Sequence, residues 1–191
     1  MTYQHYLRCA ILLVGILMPA SGGTSEPDTA ANQWAAKIEA PELRRCYRVT
    51  DELYRGGRLT PAGAALLESL GVKTVVSLRM RRSDWKSVGG TSLDFYQIPV
   101  KAWRPTEDEV VEFLKIATDK SRQPVYVYCN RGAERTGMMC AVYRMVVCGW
   151  SKEEAIREMT QGPFDYHQRW WQVVSLVENL DVERLKRRAG L

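Results

Sequence analysis

The chain alternates short runs of β-branched and aromatic residues with longer stretches whose apolar positions recur every three or four residues. Val125-Tyr126-Val127-Tyr128 is an unbroken run of this first kind and predicts a buried strand, followed by an apolar helix from Met138 to Val147. Further strands are predicted at Thr74–Leu78 and Phe95–Val100, and a hairpin-like pair at Tyr47-Arg48-Val49 and Leu53-Tyr54-Arg55. The helix signals between them are explicit. Thr60 caps, Pro61 starts and Gly71 ends one helix. Thr106 with Glu109 makes a capping box for a helix through Ala117, and Ser151 with Glu154 makes another for a helix through Thr160. A last amphipathic helix is predicted from Tyr166 to Glu183, ahead of a basic tail, Arg184-Leu185-Lys186-Arg187-Arg188. Strands that alternate with helices in this way predict an α/β fold: a central, mostly parallel sheet of four to five strands flanked by helices, with ligands at the carboxyl ends of the strands.

Length and composition narrow this picture. At 191 residues and 46% hydrophobic content the chain fits one domain with a sizeable core. Its start differs in kind. Arg8 precedes the apolar run Cys9 to Met18, and Pro19-Ala20-Ser21-Gly22-Gly23 follows, the three parts of an export signal. Residues 1–22 are therefore read as a signal peptide, with a membrane anchor as the alternative, 23–40 as a flexible tether, and 41–191 as the folded domain. The run is short for a membrane span. Arg8 is the sole charged residue of 1–20, so its removal takes the formal net charge from +5 to +4. That mild, dispersed charge argues against nucleic acid as a partner. The two histidines, His5 and His167, and the absence of a Cys-x-x-Cys pair argue against a metal site, and no cofactor is expected. A monomer is expected.

The chemistry concentrates in Cys129-Asn130-Arg131-Gly132-Ala133-Glu134-Arg135-Thr136-Gly137, the junction between the predicted strand and the helix after it. Unpaired N–H groups and the positive end of the helix dipole there favour a phosphate dianion and a cysteine thiolate alike. Gly132 permits the backbone angles that turn a row of N–H groups inward, and the Arg135 fork can hold two phosphate oxygens. Residues 130–135 are thus the expected phosphate-binding loop. The plain alternative for Cys129 is a small core residue.

Cys-(five residues)-Arg-Thr-Gly, with glycine three positions after the cysteine, resembles the signature loop of the cysteine-dependent protein tyrosine and dual-specificity phosphatases. The likeness extends to Leu53-Tyr54-Arg55-Gly56-Gly57, Lys73 to Arg79, Gln97-Ile98-Pro99-Val100 and Gly149 to Ala155, and covers residues 43–182, in the manner of the small bacterial dual-specificity members. The resemblance implies that Cys129 attacks phosphorus and carries a phosphocysteine, that Arg135 binds substrate and stabilises the transition state, and that Thr136 helps the sulfur leave. Two positions depart from the family pattern. Tyr128 stands where the family places a histidine, so the thiol is expected to be less acidic than in relatives. Lys101-Ala102-Trp103-Arg104-Pro105 occupies the loop that usually carries an aspartic general acid.

The acid is therefore open among Glu107, Asp108 and Glu134, with Asp165 next; for Glu107 and Asp108 the alternative duty is to stabilise a helix dipole. Arg131, Lys101, Trp103 and Arg104 are expected to form a cationic rim, or else a solvated basic surface. Trp170 and Trp171 read as core and flank of the last helix. Cys140 and Cys148 lie eight residues apart in one helix, about 12 Å, and cannot pair, while Cys46 is either a free thiol or a protective partner for Cys129. Three functions fit: a secreted or periplasmic protein tyrosine or dual-specificity phosphatase acting on a phosphoprotein or small phosphorylated substrate; an enzyme of the same chemistry for inositol phosphates or phosphoinositides; and a catalytically silent phosphate-binding module.

Overall fold

The computed structural model of the protein describes residues 33–80 and 82–191. The predicted signal or anchor, and most of the predicted tether, lie outside the described residues. Strands β1 (Ala36–Lys37), β2 (Tyr47–Arg48), β3 (Leu53–Gly56), β4 (Thr74–Ser77), β5 (Asp94–Gln97) and β6 (Val125–Tyr128) form one sheet in the order β1-β2-β3-β6-β4-β5. The four strands β3, β6, β4 and β5 are parallel, and β2 and β1 add antiparallel at one edge. The expected four to five strands become six because β1 falls inside the stretch predicted as tether. Ala36 pairs with Arg48 and Lys37 with Tyr47, and the Ala35 N–H donates to buried Glu158 Oε1 at 2.7 Å, so the chain joins the domain before Pro41.

Helices cover both faces of the sheet. Because side chains alternate along a strand, Val125 and Val127 of β6 enter one core and Tyr126 and Tyr128 the other. The valine side packs against α2 (Glu107–Ala117), α3 (Glu134–Val146), α4 (Lys152–Gln161), α5 (Trp171–Asn179) and α6 (Val182–Ala189). The tyrosine side packs under α1 (Pro61–Ser69), with Leu59, Leu67 and Val75. Every residue of β6 is buried, as expected for the central strand of a covered parallel sheet.

The predicted caps are in place. Thr60 accepts from Gly63 N–H, and Thr106–Glu109 and Ser151–Glu154 close their boxes. The last helix differs from the prediction: it is not one helix over Tyr166–Glu183 but a 3₁₀ turn (Gln168–Trp170), α5 and α6. Buried Leu180 takes extended angles (φ −71°, ψ 140°) and breaks the helix, and Asp181 restarts it by accepting from Arg184 N–H. The expected basic tail is thus α6, which ends at Gly190 in the left-handed region. Its Arg184 and Arg188 dock on the first turn of α2, with Arg184 Nη2 2.5 Å and Arg188 Nη1 2.7 Å from Glu107 and Arg188 Nη2 2.5 Å from Asp108.

The parallel register decides where the chemistry sits. Gly56, Tyr128 and Ser77 stand side by side at the ends of β3, β6 and β4, and Gln97 ends β5 beside Ser77. The segments that follow these four residues emerge together at the carboxyl edge, and Cys129 is the first residue beyond the central strand.

Candidate active site

Cys129 to Ala133 links β6 to α3, and α3 starts without help. Unlike α1, α2, α4 and α6, it has no side-chain cap, so the donors of its first turn are left for a ligand. The carbonyls of residues 130–133 are turned away from that end. The carbonyl of Asn130 accepts from the backbone N–H of Arg58 at 3.3 Å, and that of Arg131 from Arg45 Nη1 at 3.1 Å. The carbonyl of Gly132 accepts from Arg55 Nη2 at 2.9 Å, and that of Ala133 accepts from Gly137 N–H of α3 at 2.7 Å and more distantly from Arg55 Nη2 at 3.4 Å. In a trans peptide the N–H points opposite the C=O, so four carbonyls held outward aim the N–H groups of residues 131–134 inward. One of these contacts is seen directly: Gly132 N–H reaches the Cys129 sulfur at 3.2 Å.

Glycine is required at two points of this arrangement. Gly132 has φ +80°, and a Cβ there would stand 2.5 Å from the Gly56 carbonyl carbon and 2.7 Å from the Gly57 nitrogen. Gly56 is equally confined, since a Cβ would overlap the Tyr126 hydroxyl, which donates to the Gly57 carbonyl at 3.0 Å. The Leu53–Gly57 segment therefore serves the loop twice, with Arg55 as its brace and the glycines as its seat.

Burial raises the Cys129 thiol's pKa, but the positive charge of Arg135, the hydroxyl and N–H of Thr136 and the N–H of Gly132 outweigh it, and the thiol ends below its ordinary value. A histidine before the cysteine is thus not needed for the shift; Tyr128 occupies that position, fully buried and stacked on Tyr126 with ring centroids 6.0 Å apart. Arg135 Nη1 is anchored on the carbonyls of Leu78 (3.0 Å) and Val100 (3.2 Å), and among the described residues its other nitrogens have no partner. Cys46 and Cys140 differ from Cys129, burial pushing them up to about 12 and about 11. Neither forms a disulfide.

Above the cradle lies a cleft of about 170 Å³ lined by Ala102, Trp103, Asn130, Arg131, Glu134, Arg135, Arg169 and Trp170. That is below the roughly 300–1,000 Å³ of drug-sized pockets and suits one phosphoryl ester. The predicted site residues divide sharply. Cys129 through Thr136 come together, with Trp103 at the rim. Glu107 and Asp108 do not reach the cleft, because Arg184 and Arg188 hold them at the α2–α6 contact, and hydrogen bonds from Arg188 together with Arg184 keep Glu107 below the usual carboxylate range. Lys101 and Arg104 are exposed and do not line the cleft. Asp165 is ion-paired with Arg131 (2.5 Å) and Arg45, and the hydrogen bond from Arg131 holds its carboxyl below the ordinary aspartate range.

Four residues have a role at the site that the sequence alone did not assign: Arg55, His167, Arg169 and Trp170. Trp170 packs against the core and Trp171 is exposed, as expected of core and flank, but Trp170 also lines the cleft, together with Arg169. His167 accepts from Arg131 Nη1 at Nε2 (2.9 Å) and meets Glu134 Oε1 at Nδ1 (3.2 Å). Arg55 has a local signal, the Arg-Gly-Gly of its segment; His167 and Trp170 have none.

A parallel sheet that delivers an acidic cysteine into a ring of inward N–H groups, with an arginine lining the cleft above, defines the cysteine-dependent phosphatases. Within that class the chain belongs to the DSP-PTPase phosphatase family: residues 38–172 match the family described as DSP-PTPase phosphatase fused to NAD+ kinase. It is 34% identical over 178 residues to the dual specificity protein phosphatase TpbA of Pseudomonas aeruginosa, covering 93% of this chain and 78% of that protein. The crystal structure of TpbA superposes with a TM-score of 0.74 at 31% identity, over 85% of this chain and 99% of that one. A cysteine-to-serine variant of TpbA in complex with phosphotyrosine superposes at 0.72, with 31% identity and coverage of 85% and 98%. The inositol diphosphatase DSP5 of Arabidopsis thaliana is 26% identical over 147 residues, 72% of this chain and 70% of that protein.

The thiol shift has a direct readout. Because the folded thiol is the stronger acid, alkylation of Cys129 by iodoacetamide should reach half its limiting rate below the pH of an ordinary cysteine, and Arg135→Ala should move that midpoint upward. A midpoint unmoved by Arg135→Ala would show that the arginine charge does not act on the sulfur.

Proposed function

We propose that the protein hydrolyses aryl phosphate monoesters, phosphotyrosine foremost. In this reading Cys129 is the nucleophile, Arg135 the clamp for the phosphoryl oxygens, the N–H groups of 131–134 the oxyanion cradle, and Thr136 the donor that steadies the departing thiolate. The observation that carries the substrate class is the pair of indoles, Trp103 and Trp170, in a cleft sized for one ester. Two indoles supply faces on which an aromatic leaving group stacks. TpbA, whose variant was solved with phosphotyrosine, supports the same reading. An inositol polyphosphate needs several unpaired cations at the mouth; Arg131 is already held by Asp165 and His167, which leaves Arg169, over the Trp170 ring, beside Arg135 in the cleft lining.

Turnover of p-nitrophenyl phosphate should fall on the order of 10² or more in Cys129→Ser and Arg135→Ala, with the folded spectrum kept. In a panel, phosphotyrosine peptides should exceed phosphoserine peptides and inositol phosphates in kcat/KM. Near-normal hydrolysis by Cys129→Ser would sink the mechanism, and preference for an inositol phosphate would sink the substrate class.

We also propose that the chain acts outside the cytoplasm, on the strength of Arg8 and the apolar run Cys9–Met18. Amino-terminal sequencing of the exported protein should begin near residue 23. A full-length chain retained in the membrane would identify an anchor instead, and cytoplasmic retention would overturn export.

A further inference from the structure

Among the candidate acids, Glu134 alone both lines the cleft and lacks a cationic partner of its own. Its side chain is 8% exposed, Oε1 meets His167 Nδ1 at 3.2 Å, and among the described residues Oε2 has no hydrogen-bond partner. The hydrogens of His167 follow from its neighbours. Arg131 is a donor only, so Nε2, 2.9 Å from its Nη1, must be the acceptor. Nδ1 faces two acceptors, Glu134 Oε1 and the Asp165 carbonyl at 3.1 Å, and must carry the proton. Arg131 is itself held by Asp165, which also pairs with Arg45, and Arg45 in turn donates to the Arg131 carbonyl. Arg45 and Asp165 both occupy the left-handed region, at φ 51° and 61°. Two strained residues that meet across a functional loop mark a conformation fixed by its surroundings.

We infer that Glu134 is the general acid and that His167 is a positioning residue, locked by Arg131 as its Nδ1–H tautomer so that it occupies Oε1 and leaves the acidic proton on Oε2. The inference rests on the phosphatase reading above. In the first step the Cys129 thiolate forms the S–P bond, the P–O bond to the leaving group breaks, and the Oε2 proton passes to the departing oxygen. In the second, the Glu134 carboxylate takes a proton from the attacking water, the O–P bond forms and the S–P bond breaks, which returns phosphate, the thiolate and protonated Glu134. A carboxylic acid on the loop itself thereby takes the place of the aspartate that the 101–105 segment lacks.

The test is the dependence of kcat/KM on the leaving group, with phenyl phosphate, which needs a proton, set against p-nitrophenyl phosphate, which needs little. The phenyl to p-nitrophenyl ratio should fall on the order of 10² in Glu134→Gln. In His167→Ala it should fall on the order of tenfold, as expected for a displaced acid, and His167→Asn should restore most of it, because the asparagine amide supplies an N–H near the position of Nδ1. A ratio within one variant is unaffected by how much of that variant is folded. An unchanged ratio in Glu134→Gln would overturn the acid, and equal ratios in His167→Asn and His167→Ala would overturn the positioning role. Hydrolysis that persists in Cys129→Ser would instead overturn the phosphatase reading, so the two failures are distinct.

Discussion

The structure depends on four carbonyl oxygens being held away from the place where the substrate binds. The N–H groups of residues 131–134 cannot turn toward one point unless the carbonyls of 130–133 find donors on the opposite side. Arg45, Arg55 and the backbone of Arg58, in the segment 45–58, serve Arg131, Gly132 and Asn130, and Gly137 N–H of α3 serves Ala133 at 2.7 Å with Arg55 farther off. Arg55 is the most costly of them. The residue is 1% exposed, and its guanidinium lies 3.6 Å over the Phe164 ring with no carboxylate partner among the described residues. A buried cation is tolerated only with compensating dipoles, here the two carbonyls and the negative face of the ring. The parallel pairing of β3 with β6 gives this segment its position, since Gly56 and Tyr128 share a register and the residues after them meet.

From that constraint the reactivity of Cys129 follows. Burial alone makes a thiol a weaker acid, as at Cys46 and Cys140, and the same burial at Cys129 is reversed by an arginine, a hydroxyl and two aimed N–H groups. The thiolate and the phosphoryl group are served by the same donors. What prepares the nucleophile therefore also prepares the transition state.

Much of this was legible in the sequence because it is local. The buried strand, the two capping boxes, the Thr60–Pro61 helix start and the cradle each depend on residues within a few positions of one another. What escaped depends on distance along the chain. His167 and Asp165 meet Arg131 from more than thirty residues away, and no periodicity marks a lone histidine. Glu107 and Asp108 read as plausible acids until α6 brought Arg184 and Arg188 onto them. The break at Leu180 goes against the helical pattern, because burying that side chain and capping α6 with Asp181 outweigh continuation of one helix. The strand at Ala36–Lys37 has almost no apolar signal, both residues being exposed, and is held by its pairing with β2 and by the adjoining Ala35 N–H on Glu158.

The claim that Arg55 sets the cradle is tested most directly by titrating inorganic phosphate into Arg55→Leu and the parent protein, with the circular dichroism of both recorded. If the outward carbonyls are what aim the donors, the folded variant should bind phosphate at least about tenfold more weakly, ~1.4 kcal/mol. Equal phosphate affinity in a folded Arg55→Leu protein would mean that the loop holds its shape unaided.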